Sequence, residues 1–376
     1  MAQRPSPTLA NAVAPGVRVE RIEPLQRRVE KNRLRFVGFM VAFTTCAALA
    51  LFACLLLAVW VAVLLGLGPR LGSPGAVVGW TLGVSLAVAW AWALAIFFRA
   101  DITLLARLGA RMPKAGTLMP TKSVLRDMAI AAGLPRTPYF YVIDTPGVNA
   151  FVLGRSIERV RIGVTRGMLE RVPAGEQRAV FANLIARVLT RDTLWATAVS
   201  ALMGPIWAMR DFDLRYDPTD PSADARLGGR PGKSTDDQRA GAFLVYGLAV
   251  VVTELLSWYH QEAAWKAAEK ADAEGMLLLK DPQSMLRAIE HVLERNNHVP
   301  AAGDAYSQLF FCWAGFGFAP EDDPEMRRVA RLRETLGAEG AAYVPRPNFA
   351  GWPTAPRAPR LELAEEIAQR GGADAP

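Results

Sequence analysis

The stretch G-E-Q-R-A-V-F-A-N-L-I-A-R-V-L-T-R-D-T, residues 175 to 193, decides how the chain is read. Val180, Phe181, Leu184, Ile185, Val188 and Leu189 recur at spacings of three, four and seven, the signature of one buried helical stripe. Pro173 suits a first turn, and Glu176 places negative charge where a helix N-terminus favours it. Hydrophobic hairpins flank this helix on both sides in sequence.

On the N-terminal side, Phe36 to Leu65 carries no charged residue, and Ala76 to Phe98 is a second uncharged run with Trp80, Trp90 and Trp92. A helix needs about 20 apolar residues to cross the hydrocarbon core, so each run predicts a membrane span. Between them lies a Gly/Pro turn from Gly66 to Gly75. The segment 1–35 is polar and basic, with Arg27, Arg28, Lys31, Arg33 and Arg35 just before the first span. Arg99, Arg107, Arg111 and Lys114 follow the second. Basic residues on the outer flanks predict that both ends of the hairpin face the cytoplasm, in a cytoplasmic (inner) membrane.

Residues 100–193 read as the first part of a domain. A helical pattern over Leu118 to Gly133 is followed by β-rich runs at Tyr139 to Ile143, at Asn149 to Gly154 and around Val160, Ile162 and Val164. Strands feeding a helix make an α+β unit that is mostly helical. Residues 194–258 contain two further apolar stretches, Leu194 to Met209 and Ala240 to Trp258, joined by a polar linker over 210–239. Either they form a second membrane hairpin or they pack on the domain; length alone leaves both open. Residues 259–339 read as charged amphipathic helices broken at Asp281-Pro282, with a last basic helix from Met326 to Leu336. Residues 340–376 are rich in Pro, Ala and Arg and predict a mobile tail.

Composition removes several classes of function. The net charge of +7 forms no series of basic clusters interleaved with aromatics, so no nucleic-acid partner is expected. With Cys46, Cys54 and Cys312 alone there is no disulfide framework and no C-x-x-C pair. Cys312, between Phe311 and Trp313, reads as a packed thiol, and no G-x-S-x-G occurs. The histidines His260, His291 and His298 are too few and too scattered for a histidine metal site, and His291 and His298 read as surface residues. His260, Glu262 and Glu269 carry ligand atoms without ligand spacing.

The order of short motifs resembles the HtpX-like membrane zinc metalloproteases, the clan of the CAAX prenyl endopeptidases. Asn149-Ala150-Phe151 with Gly154 is similar to that family's N-A-F-x-x-G, and Ile162 to Leu169 to its strand leading into V-T-x-G-L-L. Ala182, Ala186, Arg191 and Asp192 keep the frame of A-H-E-x-A-H-x-x-x-R-D, Ala271-Asp272 resembles the E-x-x-A-D helix, and Arg331-Leu332-Arg333 the closing R-L-R. The resemblance implies a zincin-like peptidase domain with a small β-sheet on a transmembrane hairpin, zinc as cofactor, and a role in membrane protein quality control.

Zinc chemistry in that frame needs histidines at i and i+4, a glutamate base between them and a distant glutamate ligand. In this chain the matching positions hold Asn183, Leu184, Arg187 and Ala268. An amide is a poor zinc ligand, Arg187 has no lone pair to donate, and Leu184 cannot take a proton from water. Glu269 is one residue out of register, about 100° around the helix. The late T-H-P-P element is replaced by Glu321-Asp322-Asp323-Pro324. No catalytic residue, metal or cofactor is therefore expected, and the predicted protein is a membrane-anchored pseudopeptidase. It would bind a peptide, a membrane protein or an active partner at the lipid bilayer, with Asn149, Ala150, Phe151 and Gly154 as an open strand edge for a peptide. The alternatives are an active zinc endopeptidase with a displaced site and a non-catalytic scaffold. Arg187 should be buried against a carboxylate or carbonyl, with Asp272 the first candidate.

Overall fold

The computed structural model describes residues 25–67, 73–114, 116–207, 265–302, 306–313 and 324–337. Readings made above for 1–24, for most of 194–258 including the linker, for His260, Glu262 and 321–323, and for the tail lie outside these residues.

Helix α1 (Leu25–Ala62) and helix α2 (Pro74–Arg107) form the hairpin. Both are long and apolar enough to cross a membrane, and little of either is covered by the rest of the protein. Trp60, Leu64, Trp80 and Trp92 point outward, as a lipid-facing surface requires. The two helices meet through Met40, Phe43, Ala93 and Phe97, with the Phe36 and Phe97 rings 5.2 Å apart. After α1 the chain turns through Gly66 at φ +83°, a left-handed conformation that costs glycine little. Ser73 then caps α2, with Pro74 at its first position.

Neither end of the hairpin stops where the uncharged runs stop. The basic residues from Arg27 to Arg35 are part of α1. Helix α2 runs past Arg99, and its last turns bury Ala100, Asp101, Leu104 and Leu105 in the domain. A boundary at residue 99/100 therefore falls inside a continuous helix. Asp101, buried, pairs with Arg155 (3.2 Å) and Arg161 (2.6 Å), which ties α2 to the sheet.

The sheet has strand order β1-β2-β4-β3, built from β1 (Ala110–Arg111), β2 (Tyr139–Ile143), β3 (Ala150–Gly154) and β4 (Val160–Thr165). β2 and β4 are parallel; β3 and β4, like β1 and β2, are antiparallel. Two-residue β1 carries no periodicity and was not legible in the sequence. Alternation in β4 suggests one buried face, yet both faces are covered. One lies on the larger core with α3 (Met119–Ala131) and α5 (Ala174–Leu189); the other meets a second core with α2 and α6 (Asp192–Leu202). Gly163 makes the second contact possible: the Phe151 ring lies where its Cβ would be, 2.0 Å away.

Helix α5 follows α4 (Arg166–Arg171) and begins at its Pro173 cap. Its stripe buries Val180, Phe181, Leu184 and Ile185 completely. Each large apolar side chain so buried contributes about 1.5–3 kcal/mol, which makes α5 the main strut of the core. The chain leaves it through Arg191 at φ +61° and turns at once into α6, whose residues from Trp195 to Leu202 are nearly all buried between sheet and hairpin. Residues 194–202 thus belong to the domain core.

Residues 265–279 are helical (α7), followed by α8 (Pro282–Glu294) and, after a 3-10 turn at Ser307–Leu309, by α9 (Pro324–Leu336). The break at Asp281-Pro282 is a helix cap: Asp281 accepts from Ser284 N at 3.1 Å and from the Ser284 hydroxyl. The Ser284 hydrogen bonds hold Asp281 below its ordinary carboxylate value. A lowered folded value means the stabilisation is complete above the ordinary carboxylate pKa and fades as pH falls through the lowered one. Asp281→Ala should cost about 1 kcal/mol, and in thermal melts the difference from wild type should vanish at strongly acid pH.

Candidate functional site

Asn183 and Arg187 lie one turn apart on α5 and share a face. That face looks toward α7, α9 and the segment 306–313. Helix α7 approaches closely because Gly275 lacks a side chain; a Cβ there would lie 3.0 Å from the backbone nitrogen of Asn183.

Around Asn183 the charges form a closed set. Its Nδ2 donates to Asp272 Oδ1 at 2.7 Å. Arg328, from α9, grips the same carboxylate with a two-pronged fork, Nε to Oδ2 at 2.5 Å and Nη2 to Oδ1 at 2.7 Å. Its Nη1 donates to the Phe311 carbonyl (2.9 Å) and to Glu325 Oε2 (2.9 Å), and its plane lies 5.0 Å from the Phe311 ring centroid. Glu325 in turn accepts from the Trp313 backbone N–H at 2.8 Å. Asp272, Arg328 and Asn183 are at most 3% exposed. Burial pulls the Arg328 guanidinium down, but Asp272 and Glu325 push it well above its ordinary value. Burial raises Asp272, against the weaker pull of Arg328. Three donors converge on the two carboxylate oxygens, and the two-pronged Arg328 fork has the geometry of an ion pair.

Arg187 does not reach Asp272. Its Nε donates to Asp192 Oδ2 (3.2 Å), Nη1 to the Phe310 carbonyl (3.0 Å) and Nη2 to the Gln308 carbonyl (2.5 Å). The expectation of a buried guanidinium held by a carboxylate and carbonyls is met; the expected partner is corrected. The left-handed turn at Arg191 brings Asp192 back beneath Arg187, while Asn183 and Arg328 already take up Asp272. Leu184 is fully buried in the larger core. Ala268 is half-buried on α7, and Glu269 points away from this face to an ion pair with Arg331.

The strand edge at Asn149 to Gly154 is covered, which corrects the open edge expected there. Segment 306–313 runs alongside it: Phe311 N donates to Ala150 O at 2.7 Å, and Phe310 bridges to Phe151. Asn149 donates to the carbonyls of Cys312 (2.9 Å) and Asn297 (3.1 Å). Beyond it, Thr197 of α6 takes the Gly154 N–H at 3.0 Å. The carbonyls of residues 308, 310, 311, 312 and 313 are held by Arg187, Arg328, Asn149 and Asn297. The segment is a strap clamped between the edge strand and α5.

Sequence reasoning missed Arg328, Glu325 and Asp192. A signal for the first two exists: Glu325, Arg328, Val329 and Leu332 fall at i, i+3, i+4 and i+7, which puts two charges on an apolar stripe. His291 also differs from its reading as a plain surface residue, since its Nδ1 lies 2.7 Å from Glu176.

A family resemblance that implies zinc can be tested on these donors. Zinc takes imidazole, thiolate or carboxylate ligands in a tetrahedron. At the matching positions the chain offers an amide already bonded to Asp272, a guanidinium, a leucine and an alanine. The carboxylate bonded to Asn183, Asp272, has both oxygens engaged by Arg328. Among the described residues no group of three or more His, Cys, Asp or Glu side chains is placed to hold a metal. These residues do not fit the ion.

No protein-family model matches the chain. Curated proteins do. It is 27% identical over 241 residues to the "Protease HtpX homolog" of Thermoanaerobacter pseudethanolicus, covering 62% of this chain and 78% of that protein. The proteins of the same name from Burkholderia ambifaria and Caldanaerobacter subterraneus are 28% and 27% identical, over 58% and 50% of this chain and 72% and 61% of their own lengths. Two membrane-length helices and an α+β domain accompany that similarity to proteins named as HtpX homologues.

Proposed function

We propose that this chain is an HtpX-like pseudopeptidase, which keeps the membrane-anchored frame of its relatives and binds a peptide, a membrane protein or an active partner without hydrolysing it. The observation that carries the proposal is the Asn183–Asp272–Arg328 set, in which the groups facing the would-be metal position satisfy one another. The strap over β3 supports the absence of hydrolysis, because a peptide seeking that edge meets a segment already there, and a partner would be held elsewhere. The basic residues flanking the hairpin support a location in the inner membrane, with the N-terminus and the domain on the cytoplasmic side.

The names of the relatives favour a second reading, a working zinc endopeptidase with a displaced site. Incubating the purified full chain with casein and with an unfolded membrane protein separates the two. The pseudopeptidase reading expects no cleavage above a blank preparation, with or without added zinc. Cleavage that a chelator abolishes and zinc restores would overturn it.

A further inference from the structure

Where α5 ends and α7 passes, the first turns of α1 line a small cleft open to solvent. Arg28, Lys31, Asn32, Arg35, Asp192 and Lys270 face it. Four of these six are cations, and the one acid, Asp192, is committed to Arg187. Arg28 ion-pairs with Glu274, yet its Nε, shut off from solvent, has no acceptor among the described residues. A shielded guanidinium N–H without an acceptor is uncommon enough to require an explanation. Asn32 is fixed by its bond to the Thr190 carbonyl (2.8 Å), and Arg35 leans on Asn32 Oδ1 (3.3 Å). The cleft is therefore built from helix positions and carries an excess of positive charge.

Its depth is set by the sequence of α1, whose uncharged run begins at Phe36. At about 1.5 Å per helical residue, Arg35 lies at the edge of the hydrocarbon, Asn32 and Lys31 about 6 to 8 Å outside it, and Arg28 about 12 Å outside. The headgroup layer occupies about 5 to 8 Å on each side of the hydrocarbon core. The side of the cleft formed by Lys31, Asn32 and Arg35 is thus level with the phosphates of the bilayer.

We propose that this cleft is a phosphate-binding site, filled by the headgroup of an anionic phospholipid, with Arg35 and Lys270 as donors. Phosphate accepts several hydrogen bonds at once, which matches several cations facing one cleft. Such a site would fix the rotation of α1 against the domain and couple the domain's seat to lipid composition.

Native mass spectrometry of the full chain, relipidated with phosphatidylglycerol or with phosphatidylcholine, tests this. Wild type should retain phosphatidylglycerol in preference to phosphatidylcholine. Lys270→Ala and Arg35→Ala should each lower that retention about fivefold, the equivalent of about 1 kcal/mol per cation. Arg178→Ala, an exposed cation toward the other end of α5, should leave it unchanged. Equal retention of both lipids, or equal losses in Lys270→Ala and Arg178→Ala, would overturn the site. A second arm titrates inorganic phosphate, with sodium chloride as the ionic-strength control, into the detergent-solubilised chain while its melting is followed. Stabilisation by phosphate alone, together with no preference for phosphatidylglycerol, would overturn the lipid source.

Discussion

Arg328→Met should destabilise the domain strongly, with an expected loss of about 3–5 kcal/mol. The methionine fills most of the volume but takes away the donors that face Asp272, Glu325 and the Phe311 carbonyl. Two carboxylates would then stay buried without a cation, and Asp272 would keep only the Asn183 amide. Stability of a domain is typically about 5–15 kcal/mol, so this loss takes from about a fifth to all of it. Exchange of the whole set is a different case: a buried ion pair replaced on both sides by apolar groups is often neutral. Arg328→Met combined with Asp272→Leu and Glu325→Leu should therefore recover much of the stability lost by Arg328→Met alone. Thermal melting of the detergent-solubilised chain gives the comparison; a single variant as stable as wild type would show that the set contributes nothing.

Arg187→His restores one letter of the protease motif and should nonetheless destabilise the chain by about 3–5 kcal/mol. The imidazole is shorter than the guanidinium and has at most two N–H groups, whereas Arg187 serves Asp192 and the carbonyls of Gln308 and Phe310 together. Loss of those bonds frees the middle of the strap, so limited proteolysis should cut near residues 306–313 faster in the variant. Adding Asp192→Asn removes the stranded charge and should return part of the stability. An Arg187→His chain that melts like wild type and resists protease would contradict the clamp.

The two variants also mark how far the sequence carries. The hairpin and α5 are legible because each rests on a long one-dimensional pattern, an uncharged run or a seven-residue stripe. The replaced ligand positions are legible for the same reason: their spacing is fixed by one helix. The partners of those positions are not, since Asp272 and Arg328 reach Asn183 from helices 89 and 145 residues away in the numbering. Arg187 was matched to Asp272 on the family frame, but a single left-handed residue, Arg191, decides for Asp192 instead. Helix α6 was ambiguous for a physical reason as well. It is covered by the sheet on one side and the hairpin on the other, so it shows no polar face and reads like a short membrane span. The covered edge of β3 escaped notice because the strap follows it by more than 150 residues and carries no motif of its own.

The central claim is that the matching positions no longer hold zinc, and metal content tests it most directly. The full chain, produced with zinc in the medium and purified in detergent without chelators, is measured by elemental analysis beside its Asn183→Ala variant. The expected result is zinc far below about one ion per chain, the stoichiometry of a single-metal site, and no change in the variant. About one zinc per chain, lost when Asn183 is replaced, would contradict it.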